Sequence, residues 1–247
     1  MTSNPMTNDR IYEGAIVSDA PMTVAGTVNK TLGLLAIVVL VASYTWHLAY
    51  AGMADKLQAI MMTGIFGGLI LAIIAAFRPQ NAKPLSIGYA ACEGLALGGI
   101  SAYMNAAFPG IVAQAILGTF VAMAVVLLLF KAQIIRATET FRAVVVSATL
   151  GIAIVYGVSL IMSFFFHNTA LSVMINSSGT LGLIISGVVI IIACLNFILD
   201  FDFIERGVQQ GAPKYLEWYG AFSLLVTLIW LYLEILRLLA KLNSRRN

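Results

Sequence analysis

The chain has 247 residues, of which 60% are hydrophobic and only 10% are charged. Soluble domains carry about 25% charged residues, so this composition excludes an ordinary soluble protein. The net charge of +3 is small, and we expect no nucleic-acid partner. Apolar runs recur along the whole length, which predicts a polytopic membrane protein whose surroundings are the lipid bilayer.

The N-terminal region is polar and lacks the short apolar core of a cleavable signal peptide. We predict a flexible polar tail over residues 1–30, a transmembrane bundle over residues 31–242, and a basic C-terminal tail over residues 243–247. Lipid satisfies no backbone polar groups, and the apolar runs are too long for barrel strands. The predicted fold class is therefore all-α, a seven-helix bundle. The predicted spans are residues 32–53, 57–77, 85–107, 111–130, 143–166, 180–203 and 215–242.

The lysines and arginines indicate the orientation. A cytoplasmic N-terminus places most basic loop residues inside, as the positive-inside rule requires, and we expect a multi-pass protein of the cell (inner or plasma) membrane. The basic C-terminal group opposes this orientation if the last segment fully spans. Either that segment is re-entrant, or seven spans break the rule at the tail. The opposing group comprises Arg237, Lys241, Arg245 and Arg246.

Small and polar residues indicate how the last helices pack. Two GxxxG pairs, Gly64 with Gly68 and Gly94 with Gly98, predict close helix contacts. One stripe of the last segment is small or polar, which predicts that this helix lies against or inside the rest of the bundle. The stripe comprises Glu217, Gly220, Ser223, Thr227, Trp230 and Glu234.

Carboxylates inside apolar segments are the candidate functional residues, because each costs about 2.5–3.5 kcal/mol to insert. Asp200 continues a small and polar face of the sixth segment and is predicted to line a cavity. Asp202 is about 200° further around the helix and is predicted at the membrane interface near Arg206. We expect the acidic groups of the last two spans to lie, without basic partners, in a wet crevice.

Glu93 is a third isolated carboxylate, near the middle of its segment. Desolvation favours its neutral form near pH 7, which makes a proton-responsive role plausible. The alternative is a protonated Glu93 bonded to a hydroxyl or carbonyl of a neighbouring helix. His47, His167, Cys92 and Cys194 show no metal-ligand spacing, and no catalytic motif is present. We therefore expect no enzyme activity, no resident metal and no cofactor.

Three stretches, KPLSIGYAACEGLALGGIS, LNFILDFDFIE and YGAFSLLVTLIWLYLEILRLL, resemble the Bax inhibitor-1/YccA family, also called the transmembrane Bax inhibitor motif family. The similarity extends over all seven segments and is that of a divergent bacterial branch. It implies a seven-helix bundle with the last helix in the centre. Bacterial members include a pH-sensitive calcium leak gated by two aspartates, one in each of the last two helices.

The resemblance assigns the first aspartate to Asp200, with Asp202 as the alternative register. Thr227 stands where the family has the second aspartate, and Glu234 lies seven residues further on the same face as a substitute. The predicted ion-binding or pH-sensing residues are Asp200, Glu234, Asp202, Glu93 and Thr227, with Ca²⁺ as the permeant ion.

A second hypothesis from the same resemblance is a regulator that transports nothing. Some family members bind and restrain a membrane-bound AAA protease, so the chain would act in a stress response through its polar tail and loops. Deletion of residues 1–28 would separate the two hypotheses. A small-molecule transporter is disfavoured, because the sequence shows no inverted repeat and no broken-helix signal.

Overall fold

The computed structural model describes residues 21–51, 54–166 and 177–246. Residues 1–20 of the predicted tail and His167 lie outside the described residues. Within the described residues the chain forms seven long α-helices. They are α1 (Val24–Tyr50), α2 (Ala54–Phe77), α3 (Ala82–Ala107), α4 (Ile111–Lys131), α5 (Glu139–Phe166), α6 (Thr180–Gln209) and α7 (Leu216–Arg246).

In the described part of the chain, seven helices are long and apolar enough to cross a membrane, which confirms the all-α fold class. The first helix begins at Val24, so the end of the predicted polar tail is helical. The reason is local: Thr23 is the N-cap, and its hydroxyl accepts a hydrogen bond from the Gly26 N–H at 2.9 Å. The last helix continues to Arg246, past the predicted boundary at residue 242.

The helices form two compact units. The first unit contains α1, α2 and α3, the end of α6 from Asp200 and the start of α7 up to Val226. The second unit contains α4, α5, the part of α6 up to Leu199 and the part of α7 from Thr227. The last two helices thus contribute residues to both units.

Burial differs strongly between the helices. In α3 and α7, 56% of the most apolar window is buried, compared with 17–33% in the other five spans. Those other helices expose leucine, isoleucine and valine side chains, for example Leu40, Leu117 and Ile154, which suits a lipid-facing surface. The buried α7 agrees with the expectation that the last helix lies inside the fold.

Glycines bring the helices of the first unit into close contact. A Cβ atom on Gly98 would lie 2.8 Å from Thr45 Cβ and still closer to the Ala42 carbonyl oxygen, both in α1. A Cβ atom on Gly64 would lie 2.5 Å from the Cys92 carbonyl oxygen of α3. The predicted close contacts at the GxxxG pairs are confirmed, because these backbones approach too closely for any side chain.

Substitution of Gly98 by alanine is expected to destabilise the protein by about 1–3 kcal/mol, because the added methyl group collides with α1. Gly33 is the matched control, since it is also helical and a Cβ atom there meets nothing within 4 Å. Gly33→Ala should be neutral or stabilise by up to about 1 kcal/mol. Thermal unfolding of both variants in lipid nanodiscs measures the difference, and equal midpoints would contradict the packing described.

Candidate functional site

Asp200 and Ser223 form a buried polar contact between α6 and α7 in the first unit. The Ser223 hydroxyl donates a hydrogen bond to Asp200 Oδ1, and the two residues are only 6% and 8% exposed. One turn further along, Ile204 of α6 packs beside Gly220 of α7. The small residues of the α7 stripe therefore let the two helices approach, and they place a hydroxyl, a neutral partner, on the carboxylate.

Asp202 has different surroundings from Asp200. Arg206 donates a hydrogen bond to Asp202 Oδ2 at 2.5 Å across one helical turn, and both side chains are half-buried. The predicted proximity of Asp202 and Arg206 is confirmed. This salt bridge joins neighbouring turns of α6.

Aromatic rings surround the Asp200 contact. The ring of Tyr219 packs edge-on against Phe203, with centroids 5.6 Å apart, and the Phe222 ring packs edge-on against Tyr89 at 5.1 Å. Tyr219 is fully buried, and its hydroxyl oxygen has no hydrogen-bond partner among the described residues. The hydroxyl is close enough to Asp200 for the two groups to interact electrostatically.

Glu93 lies at the contact of α2 with α3. A Cβ atom on Gly68 would be 2.8 Å from Glu93 Oε1, so the absent side chain of Gly68 makes room for the carboxylate. The Tyr89 hydroxyl, one turn earlier in α3, is hydrogen-bonded to Glu93. The predicted hydroxyl partner therefore exists, but it comes from the same helix and not from a neighbouring one.

Glu234 belongs to the second unit and has a cation beside it. Arg237 NH1 lies 2.8 Å from Glu234 Oε1 and also donates to the Tyr156 hydroxyl of α5 at 2.8 Å. The guanidinium group lies over the Tyr156 ring, 5.0 Å from its centroid. The expectation that the acidic groups of the last spans lack basic partners is therefore wrong for Glu234, since Arg237 is three residues away on the same helix.

Thr227 and Lys241 of α7 also lie in the second unit. Thr227 is buried and falls, like Glu234, in the second unit, whereas Asp200, Asp202 and Glu93 fall in the first. Lys241 was grouped with the basic C-terminal residues, but it is buried. Its ammonium group donates to the Gly182 carbonyl at 3.0 Å and to the Ser186 hydroxyl at 2.8 Å.

Glu217 belongs to the predicted polar stripe of α7, and no role was predicted for it. Its carboxylate is almost fully buried and accepts hydrogen bonds from the Thr23 N–H at 2.9 Å and the Thr23 hydroxyl at 3.0 Å. Lys30 forms an ion pair with the same carboxylate. The ammonium groups of Lys30 and Lys83 also lie 5.5 and 5.8 Å from the centroid of the Trp218 ring. Glu217 therefore fixes the start of α1 to the start of α7.

Comparison with known proteins bears on the predicted family. A family model described as Bax inhibitor 1 like matches residues 3–244. The chain belongs to the Bax inhibitor 1 like family. No curated protein and no solved structure matches it significantly. This Bax inhibitor 1 like chain is a multi-pass membrane protein.

Glu217→Ala in this Bax inhibitor 1 like protein is expected to destabilise the fold by roughly 3 kcal/mol, because it leaves Lys30 and the Thr23 N–H without their acceptor. Glu139→Ala is the control, since Glu139 is 74% exposed and lies 3.9 Å from Arg142. A surface ion pair of that kind contributes less than about 1 kcal/mol. Thermal unfolding in nanodiscs compares the two, and a loss no larger for Glu217 than for Glu139 would contradict the anchoring role.

Proposed function

We propose that this Bax inhibitor 1 like protein is a proton-sensitive cation leak, with Ca²⁺ as the permeant ion and Asp200 as the controlling carboxylate. The observation that carries the proposal is the buried contact of Asp200 with Ser223 inside two helices apolar enough to cross a membrane. A carboxylate at such a depth is costly, and intramembrane carboxylates are commonly functional.

The chemistry of the contact suits a hard cation. Ca²⁺ is bound by oxygen ligands, and Asp200 with Ser223 supplies a carboxylate and a hydroxyl at one place. A charged Asp200 attracts the ion, whereas protonation removes that attraction. Because the Ser223 hydroxyl can act as donor or acceptor, it can bond to either form of the carboxyl group.

The other carboxylates are less suited to this role. Asp202 and Glu234 each have an arginine within one turn, at 2.5 and 2.8 Å, and an adjacent cation repels Ca²⁺. Glu93 is bonded to Tyr89 at a position remote in sequence from the last two helices. We assign these residues supporting roles and propose that Asp200 titrates during gating.

Asp200→Asn is expected to abolish the pH dependence of Ca²⁺ flux through purified protein in proteoliposomes, because the amide cannot change its charge. The wild-type flux should fall between pH 8 and pH 6 as Asp200 takes up a proton. Flux is read with a Ca²⁺-sensitive dye trapped in the vesicles.

Asp202→Asn is the matched control for this experiment. It makes the same chemical change two residues away, in a carboxylate that is paired with Arg206, and should leave the pH dependence in place. A wild-type flux that is equal at pH 6 and pH 8, or an Asp202→Asn variant that alone loses the dependence, would overturn the assignment to Asp200.

We further propose that the protein resides in the cell membrane with its N-terminus in the cytoplasm, since this orientation places most basic loop residues inside. The basic residues of the last helix oppose this orientation less strongly than the sequence alone suggests. Lys241 is held inside the fold by hydrogen bonds to α6, and Arg237 is paired with Glu234. Neither a resident cofactor nor catalysis is part of the proposal.

The second candidate is a regulator that binds a membrane-bound AAA protease through its N-terminal tail. The structure limits how much of the tail can be deleted in a test of this candidate. The Met22 N–H donates to the Ala212 carbonyl at 2.7 Å, and Thr23 bonds to Glu217. Deleting residues 1–28 would remove these contacts and damage the fold, so the deletion should end before Pro21.

A variant lacking residues 2–20 is expected to keep the unfolding temperature and the Ca²⁺ flux of the full chain, because the anchor that begins at Met22 is intact. Co-purification with a membrane-bound AAA protease is measured in parallel. If the truncated protein loses a protease that the full chain binds, and neither conducts Ca²⁺, the regulator replaces the leak as the function.

A further inference from the structure

The Tyr219 hydroxyl is a buried polar group that the fold itself does not satisfy. Its residue has no exposed surface, and the oxygen makes no hydrogen bond to any described residue. Burying a hydroxyl without a partner is unfavourable, and most buried polar groups are bonded to protein or to ordered water. An orphaned group of this kind at the proposed site indicates a bound ligand.

The surroundings of Tyr219 limit what that ligand is. Its ring is fixed by Phe203 on α6 and packs near Phe222, with centroids 6.4 Å apart, on its own helix. Tyr219 and Ser223 are one turn apart on α7, and Ser223 is bonded to Asp200. The Tyr219 hydroxyl interacts electrostatically with the same Asp200. A ligand that joins the hydroxyl to the carboxylate must therefore be able to bond to both oxygens.

We propose that Tyr219 is a third oxygen donor of the Asp200 site, and that its hydroxyl and the Asp200 carboxylate together hold a water molecule or the permeant cation between them. A buried water needs two to four polar partners, which Tyr219, Asp200 and Ser223 provide. A cation would use the same oxygens. The expected effect of Tyr219 on Ca²⁺ flux rests on the proposed function, whereas the binding of the ligand does not depend on it.

Tyr219→Phe tests the inference, because it removes only the hydroxyl and keeps the ring contacts. If the hydroxyl holds a ligand, the variant unfolds at a temperature lower by about 2–4 °C, the shift typical of one hydrogen bond in a protein of this size. If the hydroxyl is truly unsatisfied, its removal leaves the unfolding temperature unchanged or raises it. That second result would overturn the proposal, whatever the flux measurements show.

A double-mutant cycle with Asp200→Ala shows whether the ligand joins the two residues. Groups that share a ligand are coupled, so Tyr219→Phe should retain less than half of its effect once Asp200 is gone. Thr119→Val is the control: it removes a buried hydroxyl of the second unit that donates to the Ala115 carbonyl at 2.8 Å, and its effect should add to that of Asp200→Ala. If the effects of Tyr219→Phe and Asp200→Ala on the unfolding temperature are fully additive, the two residues share no ligand. If Asp200→Ala does not fold, the sign of the shift caused by Tyr219→Phe alone decides.

Unfolding with a Ca²⁺ chelator and with added CaCl₂ distinguishes the two ligands. If Tyr219→Phe lowers the unfolding temperature even in the presence of the chelator, the ligand is a water molecule. If it lowers the unfolding temperature only with added CaCl₂, the ligand is the cation. In vesicles, Tyr219→Phe should lower the Ca²⁺ flux at pH 8 several-fold, and Thr119→Val should not. If the wild type conducts no Ca²⁺ while the coupling to Asp200 remains, the proposed function fails and the ligand site stands.

Discussion

The burial of charged groups along the last helix is the constraint on which the rest of the structure depends. Glu217, Glu234 and Lys241 are all buried on α7, and Asp200 is buried against it. An ionised group removed from water is very unfavourable unless it is paired and hydrogen-bonded. Each of these residues therefore requires a partner on a neighbouring segment or turn. The contacts with those partners position the other helices of the unit to which the residue belongs.

The bonding partners of the buried carboxylates differ. Glu217 forms a salt bridge with Lys30, and Glu234 forms one with Arg237. Asp200 accepts a hydrogen bond from the Ser223 hydroxyl, and a hydroxyl can bond to a charged or a neutral carboxyl group. That property of the hydroxyl supports the proposal that the charge of Asp200 changes.

The residues at which this chain departs from the predicted family pattern do not lie in the same unit as Asp200. Thr227, where the family has its second aspartate, lies in the second unit, as does its suggested substitute Glu234. That glutamate is occupied by Arg237 and Tyr156. The orphaned hydroxyl of Tyr219, in contrast, lies in the same unit as Asp200. The chemistry that accompanies Asp200 in this chain thus comes from residues one turn apart on α7.

Contacts within one helix could be predicted from spacing, and contacts between distant segments could not. Apolar length gave the seven helices, and the step of four residues gave the Asp202–Arg206 pair, because a helix fixes which of its own residues meet. The same rule allows Glu234 to pair with Arg237, a contact that was not predicted because Arg237 was interpreted as a member of the basic C-terminal group.

Composition and periodicity by themselves determined the fold class, the buried polar face of the last helix and the different surroundings of Asp200 and Asp202. Only the tertiary structure decided that Glu217 meets Lys30, 187 positions away, that Lys241 reaches α6, and that Tyr219 is left without a hydrogen-bond partner among the described residues. The physical reason is that helical periodicity sets the direction of a side chain around its own axis, whereas its partner depends on which helix packs there and at what height.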